Sequence, residues 1–144
     1  MIAVESNILV YAHRADSSWH ATAERAVRDL AEGAAAWAIP WPCVHEFLAI
    51  CTHPRIYSPP TPNAGALEQM ACWLESRSLV MLSEGPGYAE SLKAVLEESR
   101  VVGAAVHDAR IAALCLHHGV REILSADRDL SRFRALKVRN PLHK

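Results

Sequence analysis

The feature that most constrains the fold of this chain is a regular alternation of short apolar runs with longer amphipathic segments. Five runs have the length of strands, at 2–5, 37–39, 79–82, 123–126 and 137–139. Runs this short fit strands that are buried on both faces, and the segments between them supply the helical crossovers that parallel strands require. The alternation predicts an α/β fold in three layers, α/β/α, around a central parallel sheet of about four to five strands.

The segments between the strands carry the signals of helices. Ser6 and Asn7 offer capping side chains to a first helix over 8–12, and Ser17 offers one to the next helix. The stretch 53–62 contains four of the eight prolines and is predicted to be a loop. Further helices are predicted at about 17–32, 43–52, 63–77, 88–99 and 103–118.

Length and composition limit the classes of protein that this chain can be. With 144 residues, of which 51% are hydrophobic, the sequence predicts one globular domain over 1–144. The four cysteines are scattered without a C-x-x-C pair, and no run approaches the ~20 apolar residues of a membrane span, so we expect a cytoplasmic protein with free thiols. A formal net charge of −1 gives no general attraction to nucleic acid, so a polyanionic partner would need a local basic patch or bound cations.

Acidic residues stand where the predicted strands end. Glu5 closes the first strand, and Asp127 follows the fourth. Glu46 and Asp108 lie early in helices that we expect to begin at the same edge of the sheet. Because open α/β sheets bind ligands beyond the carboxyl ends of their strands, the sequence predicts that all four carboxylates share one site.

Two of these acids lie on apolar helix faces. Glu46 shares a face with Cys43, Phe47 and Ile50, and Asp108 shares one with Ile111 and its neighbours. A carboxylate that faces a core is unfavourable unless it is paired or binds a metal. Each acid alone is explained as well by the helix dipole or by a nearby arginine, whereas four together favour a cation.

The type of ligand indicates the metal and the chemistry. Oxygen ligands without clustered histidine or cysteine favour Mg²⁺, with Mn²⁺ as an alternative. A metal held in this way suits hydrolysis of phosphodiesters, because it can activate water and stabilise the charge of the leaving oxygen. The candidate catalytic and metal-ligating set is therefore Glu5, Glu46, Asp108 and Asp127.

Four segments carry a resemblance to a known family. The sequences VESNILVYA at 4–12, VHEF at 44–47, HDARIAA at 107–113 and LSADRDLSRF at 124–133 resemble, in order and spacing, the motifs of PIN-domain ribonucleases. More narrowly they resemble the VapC toxins of bacterial toxin–antitoxin pairs. The resemblance extends over the whole chain and implies a Mg²⁺-dependent endoribonuclease.

The resemblance also implies roles for individual residues. Asp108 and Asp127 would be metal ligands, and Glu46 would ligate the metal or orient its water. Asp129 would be an auxiliary acid. Asn7 and Ser125 would orient the carboxylates by hydrogen bonds. A helix cap explains Asn7 equally well, and a hydroxyl at the end of a strand explains Ser125 equally well.

The first motif departs from the family pattern. The family has Asp at the position that Glu5 occupies, and the added methylene extends the reach of the carboxylate by about 1.5 Å. A misplacement of ~1 Å near the chemistry can slow a reaction by about 10²-fold. We therefore expect metal binding with attenuated cleavage. The alternative is a catalytically inactive PIN-like protein that only binds RNA or its antitoxin.

The resemblance implies three kinds of partner. An RNA substrate would be held at its phosphates by Arg128 and Arg132, which flank the acidic turn. A separate antitoxin protein would block the acidic cleft. The chain is also expected to form a homodimer.

Overall fold

The chain folds around a five-stranded sheet in which every strand pair is parallel, in the order β3-β2-β1-β4-β5. The computed structural model describes residues 1–143. The strands are β1 (Ile2–Val4), β2 (Trp37–Pro40), β3 (Leu79–Leu82), β4 (Glu122–Leu124) and β5 (Lys137–Arg139). The predicted three-layer α/β/α class and the number of strands are confirmed.

Six α-helices connect these strands. They are α1 (Ser6–His13), α2 (His20–Glu32), α3 (Trp41–Cys51), α4 (Asn63–Leu74), α5 (Tyr88–Ser99) and α6 (Val106–His117). Helix α1 packs against α2 and α3, and α5 packs against α6. Two 3₁₀ turns, Gly103–Ala105 and Asp129–Arg132, complete the described elements. No helix within residues 1–143 has both the length and the apolar character needed to cross a bilayer.

The central strand determines where the functional side chains meet. Strand β1 pairs with β2 on one side and with β4 on the other, and its residues Ala3 and Val4 have no exposed surface. Beyond Val4 the backbone N–H of Glu5 still donates to the carbonyl of Leu124 at 3.0 Å. Because parallel strands end at the same edge, the residues after β1 and β4 are neighbours there.

The predicted caps of the first two helices are wrong. The N-cap of α1 is Glu5, which makes no side-chain capping bond, so Ser6 and Asn7 are helical residues whose side chains contact other elements instead. Helix α2 begins at His20 after Trp19, not at Ser17. The hydroxyl of Ser17 accepts from the backbone N–H of Trp19 at 3.1 Å, a local turn that competes with helix formation.

Other boundaries shift by a few residues. The fourth strand ends at Leu124 and not at 126, because the backbone N–H of Ala126 donates to Oδ1 of Asn7 at 3.0 Å and leaves the sheet. The last predicted helix starts at Val106, after a 3₁₀ turn that begins at Gly103 with φ 65°. Helix α4 ends at Leu74, three residues earlier than predicted.

The prolines of segment 53–62 do form a loop, as predicted. The end of this loop contacts the last turn of α1, where His13 Nε2 lies 3.1 Å from Oγ1 of Thr61. Arg14 donates to the same hydroxyl at 3.2 Å and stacks on the ring of Tyr57. The base of the loop therefore packs at the opposite end of α1 from Glu5.

Candidate functional site

Glu5 lies at the centre of the polar groups that follow β1 and β4. Its side chain has only 4% of its surface exposed. One carboxylate oxygen, Oε2, accepts from the hydroxyl of Ser125 and from Nδ2 of Asn7, the latter at 3.2 Å. The carboxylate therefore points into the protein, toward the chain that follows β4.

Burial changes the protonation of this side chain. The pKa of Glu5 is raised from 4.5 to about 7, mainly because burial disfavours the charged form. The bonds from Ser125 and Asn7 oppose this rise, and the negative charges of Asp127 and Glu46 add to it. The coupling to both acids indicates that the predicted carboxylates are near one another.

Ser125 and Asn7 link the start of α1 to the segment after β4. The hydroxyl of Ser125 carries one proton, which it donates to Glu5, and it accepts from the backbone N–H of Asp127 at 2.9 Å and from Nδ2 of Asn7 at 3.2 Å. Ser125 is almost fully buried. Asn7 Oδ1 accepts from Ala126, so both residues orient groups at this edge.

Glu46 reaches the site from the second turn of α3. Its side chain is half-buried, and Oε2 accepts from the hydroxyl of Ser6 at 2.9 Å. On the same helix Cys43 and Phe47 are fully buried, as the apolar stripe predicted. Glu46 is therefore the one acid of the set that is anchored across the α1–α3 contact.

Asp108 reaches the site from the first turn of α6. It is half-buried, and its pKa is raised first by burial and then by the charges of Asp129, Asp127 and Glu46, whereas Arg132 lowers it. Asp127 and Glu46 act on the pKa of Asp108 and also on that of Glu5. The structure thus places Glu5, Glu46, Asp108 and Asp127 at the same edge of the sheet, although they are far apart in the sequence.

The turn after β4 carries exposed charges of both signs. Oδ1 of Asp127 accepts from the backbone N–H of Asp129 at 2.9 Å. Arg132 donates to the carbonyl of Asp129 at 2.9 Å, and its guanidinium lies 3.8 Å from that residue's carboxylate. Arg128 is exposed on the same turn. The two predicted phosphate-binding arginines therefore border the acids.

The chemistry of the donors agrees with a divalent cation. All the predicted ligands are carboxylates, which are the hard oxygen ligands that Mg²⁺ and Mn²⁺ prefer. The charges of neighbouring acids add to the rise that burial causes in the pKa of Asp108. Within residues 1–143, however, no three such side chains are already close enough together to hold an ion. Glu5 in particular is directed toward Ser125 and Asn7. The donor set fits a metal, and the ligands would have to move toward it.

The sequence did not predict the role of Ser6. It was interpreted as a helix cap, but its hydroxyl contacts Glu46, a residue 40 positions away. The only signal was its position between two predicted site residues, Glu5 and Asn7.

Comparisons with known proteins identify the family and relatives of this chain. The family described as PIN domain matches residues 2–136. The VapC ribonuclease Mb2897 of Mycobacterium bovis is 30% identical over 142 residues, which cover 99% of this chain and 96% of that protein. Ribonuclease VapC33 of Mycobacterium tuberculosis is 28% identical, with 99% of each chain covered.

Solved structures have the same fold. The VapBC2 structure from Rickettsia felis, bound to a DNA fragment from its promoter, aligns with a TM-score of 0.68 at 16% identity and covers 97% of this chain and 98% of that one. The structure of VapC20 from Mycobacterium tuberculosis, described as a toxin that cleaves the sarcin-ricin loop, aligns with a TM-score of 0.62 at 14% identity, with 91% and 93% covered. At these identities the likeness concerns the fold alone.

Proposed function

Because this chain belongs to the PIN-domain family, with VapC ribonucleases as relatives over its whole length, we propose that it is an endoribonuclease toxin of a toxin–antitoxin pair. The proposed reaction is hydrolysis of RNA phosphodiesters with a divalent cation, Mg²⁺ or Mn²⁺. Residues 1–144 would act as one domain, in the cytoplasm.

The observation that supports this function best is the electrostatic coupling of the four acids. Asp108 is affected by the charges of Asp127 and Glu46, and Glu5 by the same two residues. Carboxylates that repel one another in a half-buried site have a high affinity for a cation. When bound, a divalent cation activates water and neutralises charge on the phosphodiester.

The residues of the proposed site would have different roles in the reaction. Asp108 and Asp127 would hold the cation together with Glu46, and Asp129 would add negative charge beside them. Arg128 and Arg132 would bind RNA phosphates beside the acids, because Arg128 is exposed on the turn that carries Asp127 and Asp129 and Arg132 makes only a long, exposed ion pair with Asp129. Two uncharged side chains would orient the acids: Asn7 and Ser125.

Glu5 is expected to attenuate cleavage. Its Oε2 accepts two hydrogen bonds from Ser125 and Asn7, and its side chain is almost fully buried. A shorter Asp side chain would place its carboxylate nearer the backbone of β1 and farther from Ser125. These two bonds direct the carboxylate toward Ser125 and Asn7, so as a ligand Glu5 would have to turn toward the cation or bind it through Oε1 alone.

A protein partner belongs to the same proposal. The solved structures of similar fold include a VapBC2 complex and the FitAcB structure from Neisseria gonorrhoeae. We propose that an antitoxin covers the acidic edge of this chain and that the chain forms a homodimer. Size-exclusion chromatography with light scattering would measure the mass, and a monomer at high concentration would contradict the dimer.

Cleavage of RNA tests the function directly. The purified chain is incubated with structured RNA in Mg²⁺ or Mn²⁺, with and without chelator, beside Asp108→Asn as the inactive variant. Asp29→Asn, an exposed aspartate on α2, is the matched control. We expect slow cleavage that requires the cation and Asp108. If neither the protein nor its Glu5→Asp variant cleaves RNA while both bind it, the chain is a binding protein.

A further inference from the structure

The first residue of α1 contacts α3 through its side chain. The hydroxyl of Ser6 donates to Oε2 of Glu46 at 2.9 Å. The backbone N–H of Ser6 also lowers the pKa of the Cys43 thiol on the same helix, against the larger rise that burial causes.

Burial restricts the position of Ser6, which has only 3% of its surface exposed. Its hydroxyl has one proton, which it donates to Glu46. The N-cap of α1, Glu5, makes no side-chain capping bond.

The side chain of Glu46 needs such an anchor. A glutamate has three rotatable bonds, and fixing them costs conformational entropy. Glu46 is only half-buried, and no described ion pair holds it. The Ser6 hydroxyl bonds to one carboxylate oxygen of Glu46, Oε2, and leaves the other oxygen available to the site.

We propose that Ser6 is a positioning residue that holds the Glu46 carboxylate toward the cation of the acidic site. This inference rests on the proposed function for the identity of that cation. The hydrogen bond itself is independent of it. Among three consecutive residues, Ser6 reaches α3, whereas its neighbours Glu5 and Asn7 reach the segment after β4.

The first measurement uses the full chain without metal. Three-bond couplings in the NMR spectrum report whether the Glu46 side chain occupies one rotamer or averages among several. We expect one rotamer in the unchanged protein and in Ser6→Thr, which keeps the hydroxyl, and averaging in Ser6→Ala. Ser91→Ala is the matched control, because Ser91 is also a half-buried helical serine that bonds another side chain, His117.

The second measurement is the affinity for Mn²⁺ alone, by calorimetry. Loss of a group that orients a metal ligand lowers affinity by about 10–100-fold, so we expect a loss of about 10-fold in Ser6→Ala. In the Glu46→Ala background the same substitution should have no further effect. A structural role of Ser6 alone would lower affinity equally in both backgrounds. If Ser6→Ala fails to fold, Ser6→Cys replaces it, since a thiol is similar in size but donates weakly.

The outcomes separate the two proposals. Rotamer averaging of the Glu46 side chain in the unchanged protein would overturn the role of Ser6, and so would a single Glu46 rotamer in Ser6→Ala. Both results count regardless of whether the protein binds Mn²⁺. An equal loss of Mn²⁺ affinity with and without Glu46 would overturn it as well. A single rotamer that depends on Ser6, in a protein that neither binds Mn²⁺ nor cleaves RNA, would instead refute the proposed function and leave the anchor established.

Discussion

The hydroxyl of Ser125 donates its one proton to the carboxylate of Glu5, which lies 120 residues earlier in the chain. The bond joins the ends of β1 and β4, which are neighbouring strands of the sheet. It directs Glu5 into the protein, whereas Asp108 and Glu46 are half-buried and Asp127 is exposed.

Glu5→Asp should accelerate RNA cleavage, by up to about 10²-fold, because it restores the shorter carboxylate of the family pattern. Single-turnover cleavage in Mg²⁺ measures the rate. Glu90→Asp, a substitution of the same kind at an exposed helix position, should leave the rate unchanged. Equal rates for the unchanged protein and Glu5→Asp would show that the added methylene has no kinetic cost.

Glu5→Gln should change how stability depends on pH in chelator. The pKa of Glu5 is about 7 in the folded protein against an ordinary 4.5, so its protonated form favours folding. This contribution is complete below pH 4.5 and is lost as the pH rises toward and past 7. At ~1.4 kcal/mol per pH unit, the loss amounts to about 3 kcal/mol at most.

The measurement is the difference in the free energy of unfolding between Glu5→Gln and the unchanged protein, at pH 4.5 and pH 8, by urea denaturation. Other titrating groups cancel in this difference. Glu5→Gln should gain stability relative to the unchanged protein as the pH rises. A difference that does not vary with pH would show that Glu5 titrates normally.

Ser125→Ala should destabilise the metal-free protein by about 1–3 kcal/mol, because it removes a donor from a buried carboxylate and an acceptor from the backbone N–H of Asp127. The loss should be larger at pH 8 than at pH 5, where Glu5 is protonated. Thermal or urea unfolding measures it, with Ser18→Ala at an exposed position as control. A loss no greater than that of the control would contradict the assigned bonds.

Asp108→Asn should lower the cleavage rate by about 10²–10³-fold, since it removes charge that would stabilise the transition state through the cation. It should also weaken Mn²⁺ binding measured by calorimetry. The metal-free fold should not lose stability, because burial and the neighbouring acids already disfavour the charged form of Asp108. Full activity of Asp108→Asn would exclude Asp108 as a ligand.

Arg132→Ala should weaken RNA binding in chelator and reduce its dependence on salt. For single-stranded RNA each lost phosphate contact lowers the slope of log affinity against log salt by ~0.7. Arg132 also lowers the pKa of Asp108, so its removal should raise that pKa further. Fluorescence anisotropy across a salt series measures binding, with exposed Arg77→Ala as control. An unchanged slope would place the phosphates elsewhere.

Local patterns in the sequence were sufficient for the architecture. Strands β3 and β5 and helix α5 have the bounds that the apolar runs and turn residues predicted. The alternation also predicted a parallel sheet, and with it a shared edge for residues that follow β1 and β4. Each strand or helix depends on residues that are close together in the sequence, so local sequence patterns predict it.

Helix starts were harder to predict because capping side chains have competing partners. Ser6 and Asn7 have the chemistry of caps, but their side chains bond to Glu46 and Ser125 in a partly buried site instead. Ser17 formed a local turn with Trp19 instead of capping α2. In each case a contact outside the helix pattern decided the side chain's role.

The sequence by itself determined the class of fold and the identity of the acids that could meet at one edge. Only the tertiary structure decided their orientations: Glu5 turned toward Ser125, and Glu46 fixed by Ser6. These bonds span 120 and 40 residues, so no periodicity in the chain encodes them. They form because α1 packs against α3 and its first residues contact the segment after β4, where a buried donor or acceptor requires a partner.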